Sequence, residues 1–385
     1  MALLELPSSG STVRVRAIDA KTQMSVSSKG FIQPILPGFE ILNMTSVTFL
    51  IEHPTQKVLF DCGARKDFEN FSPRIKERLN LNVKGLKIEK DVHEIVQEAG
   101  VKLEELAATI WSHWHWDHHG APEKYPSKTE IVVGPGFKEN FLPGYPVDPD
   151  AIFVDANLKD RNVREITFSD DFKIGNFRAH DYFGDGSFYL LDTPGHAIGH
   201  MCGLARTTPS TFVFLGGDIC HFGGSFRPSP TIQLPDPVPS SHLDQHLPIP
   251  CSCSLFTEVH PAGPSSADSR ITPFFEVTSF AQSAYLDREQ AARSIRELKR
   301  FDEHPDVLIC IAHDPTLIKV LPFLNDQPDK YLNNWQEQGL KEKAQWGWLN
   351  ELPRDGKPGR DMYVEGVWKE GELIEDFTKL KATIY

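Results

Sequence analysis

Cysteine is scarce in this chain, six residues in 385, and a disulfide framework cannot be built from so few in a chain this long. Cys62, Cys220 and Cys310 sit in or beside apolar runs and read as small buried hydrophobes, while Cys251-x-Cys253 is weak evidence for a metal site. A run of about eighteen apolar residues is also missing, so no membrane span is expected. Positive charge is in deficit: 40 Lys and Arg against 53 Asp and Glu leave a formal charge of -13, which argues against a broad nucleic-acid-binding surface. The stretch Met1-Ala2-Leu3-Leu4-Glu5-Leu6-Pro7 has neither the basic start nor the long apolar core of a secretory signal. Gly134-Pro135-Gly136 fails the spacing of a phosphate-cradling loop, and no internal repeat is found. These absences predict a cytoplasmic enzyme without nucleic-acid or membrane partners; a homodimer is left open.

What the chain does have is His113-Trp114-His115-Trp116-Asp117-His118-His119, four imidazoles and a carboxylate within seven residues. Such a mixture suits zinc, iron or manganese better than an all-oxygen calcium site. It follows the apolar run Ala107-Ala108-Thr109-Ile110-Trp111, so the ligands are expected where a strand gives way to a loop. On an extended backbone His113 and His115 share one side and the two indoles the other. Asp117 and His118 can then reach a second ion if the loop turns. Further candidates occupy similar positions after apolar runs: His196 in Leu191-Asp192-Thr193-Pro194-Gly195-His196, Asp218 in Phe212-Val213-Phe214-Leu215-Gly216-Gly217-Asp218, and His313 after Val307-Leu308-Ile309-Cys310-Ile311. Each alone reads equally well as a cap or turn residue; their recurrence at strand ends raises all three together.

The patterning predicts short strands over 13–18, 46–51, 57–60, 109–112, 129–133, 152–154, 176–180, 187–191, 211–215 and 307–311, and helices over 88–99 and about 286–301. Residues 69–83 are ambiguous. Nine prolines between Arg227 and Pro264 predict an irregular loop or a flap over the site. The tail, with Trp335, Trp346, Trp348 and Trp368, is expected to pack on the core. Residues 1–385 are thus read as a single domain with a Pro-rich insertion at about 224–270 and a C-terminal extension at about 320–385.

In order and local context, His113-x-His115-x-Asp117-His118, Thr193-Pro194-Gly195-His196, Gly217-Asp218 and Ala312-His313 resemble the metallo-β-lactamase-fold hydrolase superfamily, from about Thr48 to Asp314. The resemblance implies an α/β fold, an αβ/βα four-layer sandwich with two divalent ions at one edge of its sheets, zinc being the working choice. It implies His113, His115 and His196 as ligands of one ion, Asp117, His118 and His313 of the other, and Asp218 between them. It implies Asp61, in Leu59-Phe60-Asp61-Cys62-Gly63, as a carboxylate behind a ligand, although Asp61 could also simply cap the turn. His119, His200 and His221 match no ligand position and are left as supporting or pocket residues.

The chemistry so implied is attack of a metal-bound hydroxide on an acyl carbon, with Asp117 holding the nucleophile and handling its proton. The chain is similar to the lactonase-like branch, whose fungal relatives include lactam hydrolases acting on benzoxazolinone-type compounds. A cyclic ester or cyclic amide is therefore the expected substrate. A glyoxalase II-like thioesterase is the alternative, and an inactive binding protein using the 224–270 segment is a third. Tyr182, Phe183, Phe222, Phe226 and Tyr285 are candidate walls for an aromatic substrate.

Overall fold

The computed structural model describes residues 4–382; the first three residues of the amino-terminal stretch, and the last three of the chain, lie outside them. Two sheets face each other. The larger has nine strands in the order Glu372–Leu373, Gly366–Lys369, Val83–Ile88, Arg14–Ser27, Ile41–Glu52, Lys57–Phe60, Leu106–Ile110, Glu130–Val133 and Val163–Glu165. The smaller has six: Val307–Cys310, Phe212–Leu215, Met201–Arg206, Phe188–Asp192, Phe177–Asp181 and Lys173–Ile174.

Strand alternation divides the apolar residues between layers. Phe49 and Ile51 point into the space between the sheets, where they meet Phe188, Met201, Val213 and Leu308, while Leu50 points outward to Val92 and Val96 of the helix Val92–Glu98. The outer face of the smaller sheet is covered by the long helix Arg288–Glu303, whose Ile295, Leu298 and Phe301 pack on Leu204, Phe214 and Ile309. Helix, sheet, sheet and helix follow in that order, the four-layer α/β sandwich expected. No helix among the described residues is long and apolar enough to cross a membrane.

Three local expectations are corrected. The helix expected over 88–99 is shorter, because Ile88 ends a strand paired with Thr22 and Asp91 caps the helix together with Glu94. Residues 152–154 form no strand: Val154 makes a single bridge to Tyr145 and the chain enters the short helix Asp155–Leu158, leaving Val163–Glu165 as the sheet edge. The ambiguous stretch contains the helix Pro73–Asn82, started by the Ser72 hydroxyl accepting from the Ile75 N–H.

The Pro-rich segment is irregular but packed. Its Leu234, Val238, Leu247 and Phe256 join Trp346 and Trp348 of the tail in one apolar cluster. The tail is fastened by buried polar groups as well. Arg227 forms a two-pronged pair with Asp302 at 2.8 and 2.6 Å and also donates to the Ala344 carbonyl. Lys341 donates to the carbonyls of Asp302, His304 and Val307 at 2.5, 2.6 and 2.8 Å, tying the tail to the end of the long helix. Gly366–Lys369 then extends the larger sheet in parallel with Val83–Ile88.

Candidate metal centre

The parallel strands Lys57–Phe60 and Leu106–Ile110 end together, so Asp61 and Ser112 emerge side by side. The Asp61 N–H donates to the Ile110 carbonyl at 2.8 Å, and the Asp61 carboxylate accepts from the Ser112 N–H at 2.6 Å. Ser112 in turn accepts from the Met201 N–H at 2.7 Å, which sets the larger sheet's loop against the smaller sheet. The run after Ser112 departs from the extended path expected. Bends begin at Ser112, and the His118 N–H closes a turn on the His115 carbonyl, which brings the His118 ring within 4.2 Å of the His113 ring. The expected separation of indoles from imidazoles holds only for Trp116, edge-on to Phe71; Trp114 packs against Phe141 and also edge-on to His115, with centroids 4.2 Å apart.

Later strands supply the rest. His196 lies in the connection between Phe188–Asp192 and Met201–Arg206, Asp218 follows Phe212–Leu215, and His313 follows Val307–Cys310. Gly217 has φ +48°, and a Cβ there would stand 2.8 Å from that of Ser112, so this position needs glycine for Asp218 to approach the loop. The seven candidate ligands therefore converge from distant parts of the sequence. They form two groups, His113, His115, His196 and Asp218 in one and Asp117, His118 and His313 in the other.

In the first group His113 Nε2, His115 Nδ1 and His196 Nε2 lie 2.8, 2.9 and 3.2 Å from one another. In the second, Asp117 Oδ2 is 3.8 Å from His118 Nε2 and 3.4 Å from His313 Nε2. Asp218 faces both: Oδ1 lies 3.1 Å from each of His118 Nε2 and His313 Nε2, and Oδ2 lies 3.3 Å from His196 Nε2. Four donors about 2.0–2.1 Å from one zinc ion stand about 3.3 Å apart, close to these separations. The hydrogen bonding agrees with such an occupant. His118 Nε2 and Asp218 Oδ1 are buried yet neither makes a hydrogen bond, an expensive arrangement unless a cation uses both lone pairs.

Contacts behind the rings set their tautomers. His118 Nδ1 lies 2.9 Å from Asp61 Oδ2, and His313 Nδ1 lies 2.7 Å from the Thr45 carbonyl; both partners only accept, so each Nδ1 carries a proton and Nε2 is the nitrogen that a cation would meet once any proton there is displaced. Asp61 thus contacts His118 through one oxygen and the Ser112 N–H through the other. His200 stands behind Asp218, its Nε2 accepting the Asp218 N–H at 3.0 Å.

Charge divides the groups. Burial and neighbouring imidazoles push His113 and His115 well below the usual histidine range, and burial takes His196 down to about 4. Burial also opposes charge on His118 and His313, but the Asp218 carboxylate outweighs it and raises both, helped at His118 by Asp61. The imidazoles facing Asp218 more than offset its burial and hold it well below the usual carboxylate range.

Of the remaining candidates, His119 turns away, bonding the Gly120 carbonyl and packing on Trp111 and Phe153. Tyr182 and Phe183 pack against Phe188 in the space between the sheets. Phe222 and Phe226 are buried in apolar clusters, so of the five expected walls Tyr285 alone is shown beside the donors, its ring 5.5 Å from that of His196. A linkage escaped the sequence reading: His221 Nε2 lies 3.0 Å from Asp218 Oδ2, and His221 Nδ1 lies 2.9 Å from the Tyr285 hydroxyl. The i, i+3 spacing of Asp218 and His221 was the available signal. Nothing local points to the pairing of Tyr285 with His221 or to the supporting roles of Ser112 and Thr45.

Residues 43–216 match the family model of the metallo-beta-lactamase superfamily. The chain is also 39% identical to gamma-lactamase FDB1 of Fusarium pseudograminearum (strain CS3096), over 96% of this chain and 91% of that protein. This chain belongs to the metallo-β-lactamase superfamily. It is a hydrolase of that superfamily, and its His/Asp cluster is compatible with bound metal. Metallo-hydrolase mfmC of Annulohypoxylon moriforme is 37% identical over 91% of this chain and 90% of its own length. Among solved structures, a quorum-quenching N-acyl homoserine lactone lactonase aligns with 84% of this chain and 99% of its own, with a TM-score of 0.52 at 19% identity, a likeness of fold.

Proposed function

We propose that this superfamily member opens small cyclic amides or esters at a centre of two divalent ions, zinc being the working choice. The observation that carries the reading is Asp218, one carboxylate with an oxygen toward each of two donor groups. In this reading His113, His115 and His196 hold one ion, Asp117, His118 and His313 the other, and Asp218 both, with Asp61 orienting His118. When bound, such ions supply a water acidified toward neutral pKa and a Lewis-acid contact for an acyl oxygen.

The chain's own groups do the rest. Asp117, 7% exposed, presents Oδ2 beside His118 and His313 and takes the proton released as water adds to the acyl carbon. It returns that proton to the leaving nitrogen or oxygen as the ring C–N or C–O bond breaks, giving a carboxylate and an amine or hydroxyl. Six free, buried cysteines support a reducing, cytoplasmic setting. The similarity to a protein named as a gamma-lactamase favours the amide side of the proposal.

The test is turnover by the zinc-loaded protein of benzoxazolinone, simple γ-lactones, acyl-homoserine lactones and a glutathione thioester. Ring opening of the cyclic compounds is expected. Rapid cleavage of the thioester with none of the rings opened would replace this reading by a thioesterase.

A further inference from the structure

The long helix Arg288–Glu303 carries five basic side chains, and they meet two different fates. Arg293 turns to Glu289 at 3.8 Å and donates to Gln290 Oε1 at 2.9 Å, and Arg300 pairs with Glu297 at 2.8 Å. No described residue offers a hydrogen bond or an ion pair to the side chains of Arg288, Arg296 or Lys299. In a chain with a formal charge of -13 carboxylates are plentiful, so three unmatched cations on one helix stand out.

All three line one groove of about 1060 Å³, at the upper end of the about 300–1,000 Å³ typical of clefts for small molecules. They recur with Ala292 and Ile295 at steps of three and four, which puts them on one side of the helix. The side toward the loop carrying His196 is a different one, where Ser294 donates to the Pro194 carbonyl at 2.7 Å. None of the seven candidate metal ligands lines the groove. Its other bank is the strand pair Ile32–Gln33 and Glu276–Val277. Polar groups there are spent on one another: Gln33 Oε1 accepts from the Ser279 N–H at 2.7 Å, and His260 accepts from the Ala262 N–H at Nδ1 and so donates from Nε2 to the Thr272 carbonyl, both at 3.0 Å.

We infer that this groove binds an amphipathic carboxylate, its head group held between Arg296 and Lys299 and its apolar body lying along Ala292, Ile295 and Val277 toward Arg288. Arg296 and Lys299 are three apart on the helix, close enough to share one head group, and Arg288 lies about 12 Å further along the axis from Arg296. Lys299 is half-buried, and burial holds its ammonium below the usual lysine range; Glu303 opposes this and Arg296 adds to it, so an anion placed there relieves both burial and repulsion. Two carboxylates also reach the lining, Glu276 on the strand pair and Glu289 beside Arg293. They favour a singly charged head group over a phosphate, which would meet twice the repulsion. Such a site is separate from the metal centre and stands whether or not the hydrolytic reading does.

Calorimetric titration of the zinc-loaded protein with decanoate tests it, with decanol as the uncharged probe and acetate as the head group without a body. Decanoate is expected to bind at least about tenfold more tightly than either. Arg296→Gln and Lys299→Gln should each weaken it by about tenfold, the scale of one charge-assisted contact at a partly exposed site, with zinc content unchanged. Arg293→Gln, on the far side of the same helix, should bind as the wild type does. A double variant at 296 and 299 that binds decanoate like the wild type would place the carboxylate on the metals and overturn the inference. Decanol binding as well as decanoate, or an equal loss in Arg293→Gln, would overturn it too. So would sedimentation showing a dimer of the wild type that the double variant abolishes, because a second copy of the chain would then cover the groove.

Discussion

The two donor groups share Asp218 and are otherwise built on opposite principles. His113, His115 and His196 meet as bare imidazoles, each pushed toward neutrality, by burial first and then, at His113 and His115, by one another. His118 and His313 are backed by acceptors, Asp61 and the Thr45 carbonyl, and faced by carboxylates that hold them above the usual range despite burial. In the metal-free protein the first group is ready for a cation, while the second carries protons that a cation must displace. The difference teaches that a two-metal centre need not load symmetrically.

The most severe way to break this comparison is Asp218→Ala, which removes the carboxylate common to both groups. Loss of both ions is expected by elemental analysis, with turnover down by about 10³, the scale of deleting a preorganised charge at a reacting centre. Retention of two ions would show that the groups are independent of Asp218. Asp61→Asn cuts more narrowly, because asparagine tolerates the left-handed backbone there (φ +63°) while the charge behind His118 disappears. Chelator competition should show the second ion weakened by about 10–100-fold and the first unchanged.

The smallest effect concerns pH. Because His118 and His313 are raised in the metal-free state, binding at the second group releases protons, and its affinity should climb with pH by up to about tenfold per unit and per proton. His196, titrating at about 4, is already neutral at higher pH, so the first ion's affinity should stay nearly flat from about pH 5 to 8. Calorimetry in buffers of different ionisation enthalpy counts the protons released with each ion. Equal numbers for the two would erase the distinction.

The candidate ligands that the structure brings together share a physical reason for being legible in the sequence. His113, His115, Asp117, His118, His196, Asp218 and His313 all follow short apolar runs, and a strand fully buried between layers reads as such a run; the ends of those strands meet at one edge of the sandwich. Agreement failed where partners are distant or periodicity misleads. Ile88 sits at helical spacing from Val92 and yet belongs to a strand. His221 and Tyr285 are brought together by a loop held through main-chain bonds, which leave no side-chain pattern. Gly366–Lys369 is too short to announce itself, and its partner Val83–Ile88 lies far away in the sequence.

The Leu286 and Asp287 N–H groups donate to the His196 and Gly195 carbonyls at 3.0 and 2.9 Å, and this clamp on the loop carrying His196 has a consequence for how such an enzyme changes its diet. It is made of main-chain N–H groups, which every residue except proline provides. Side chains along 278–286 can therefore drift under selection, or be shuffled by an engineer, while the backbone keeps its grip on the metal loop. A graft that carries this segment between relatives should keep those two amides in register, and it can then leave the hydrolytic machinery alone.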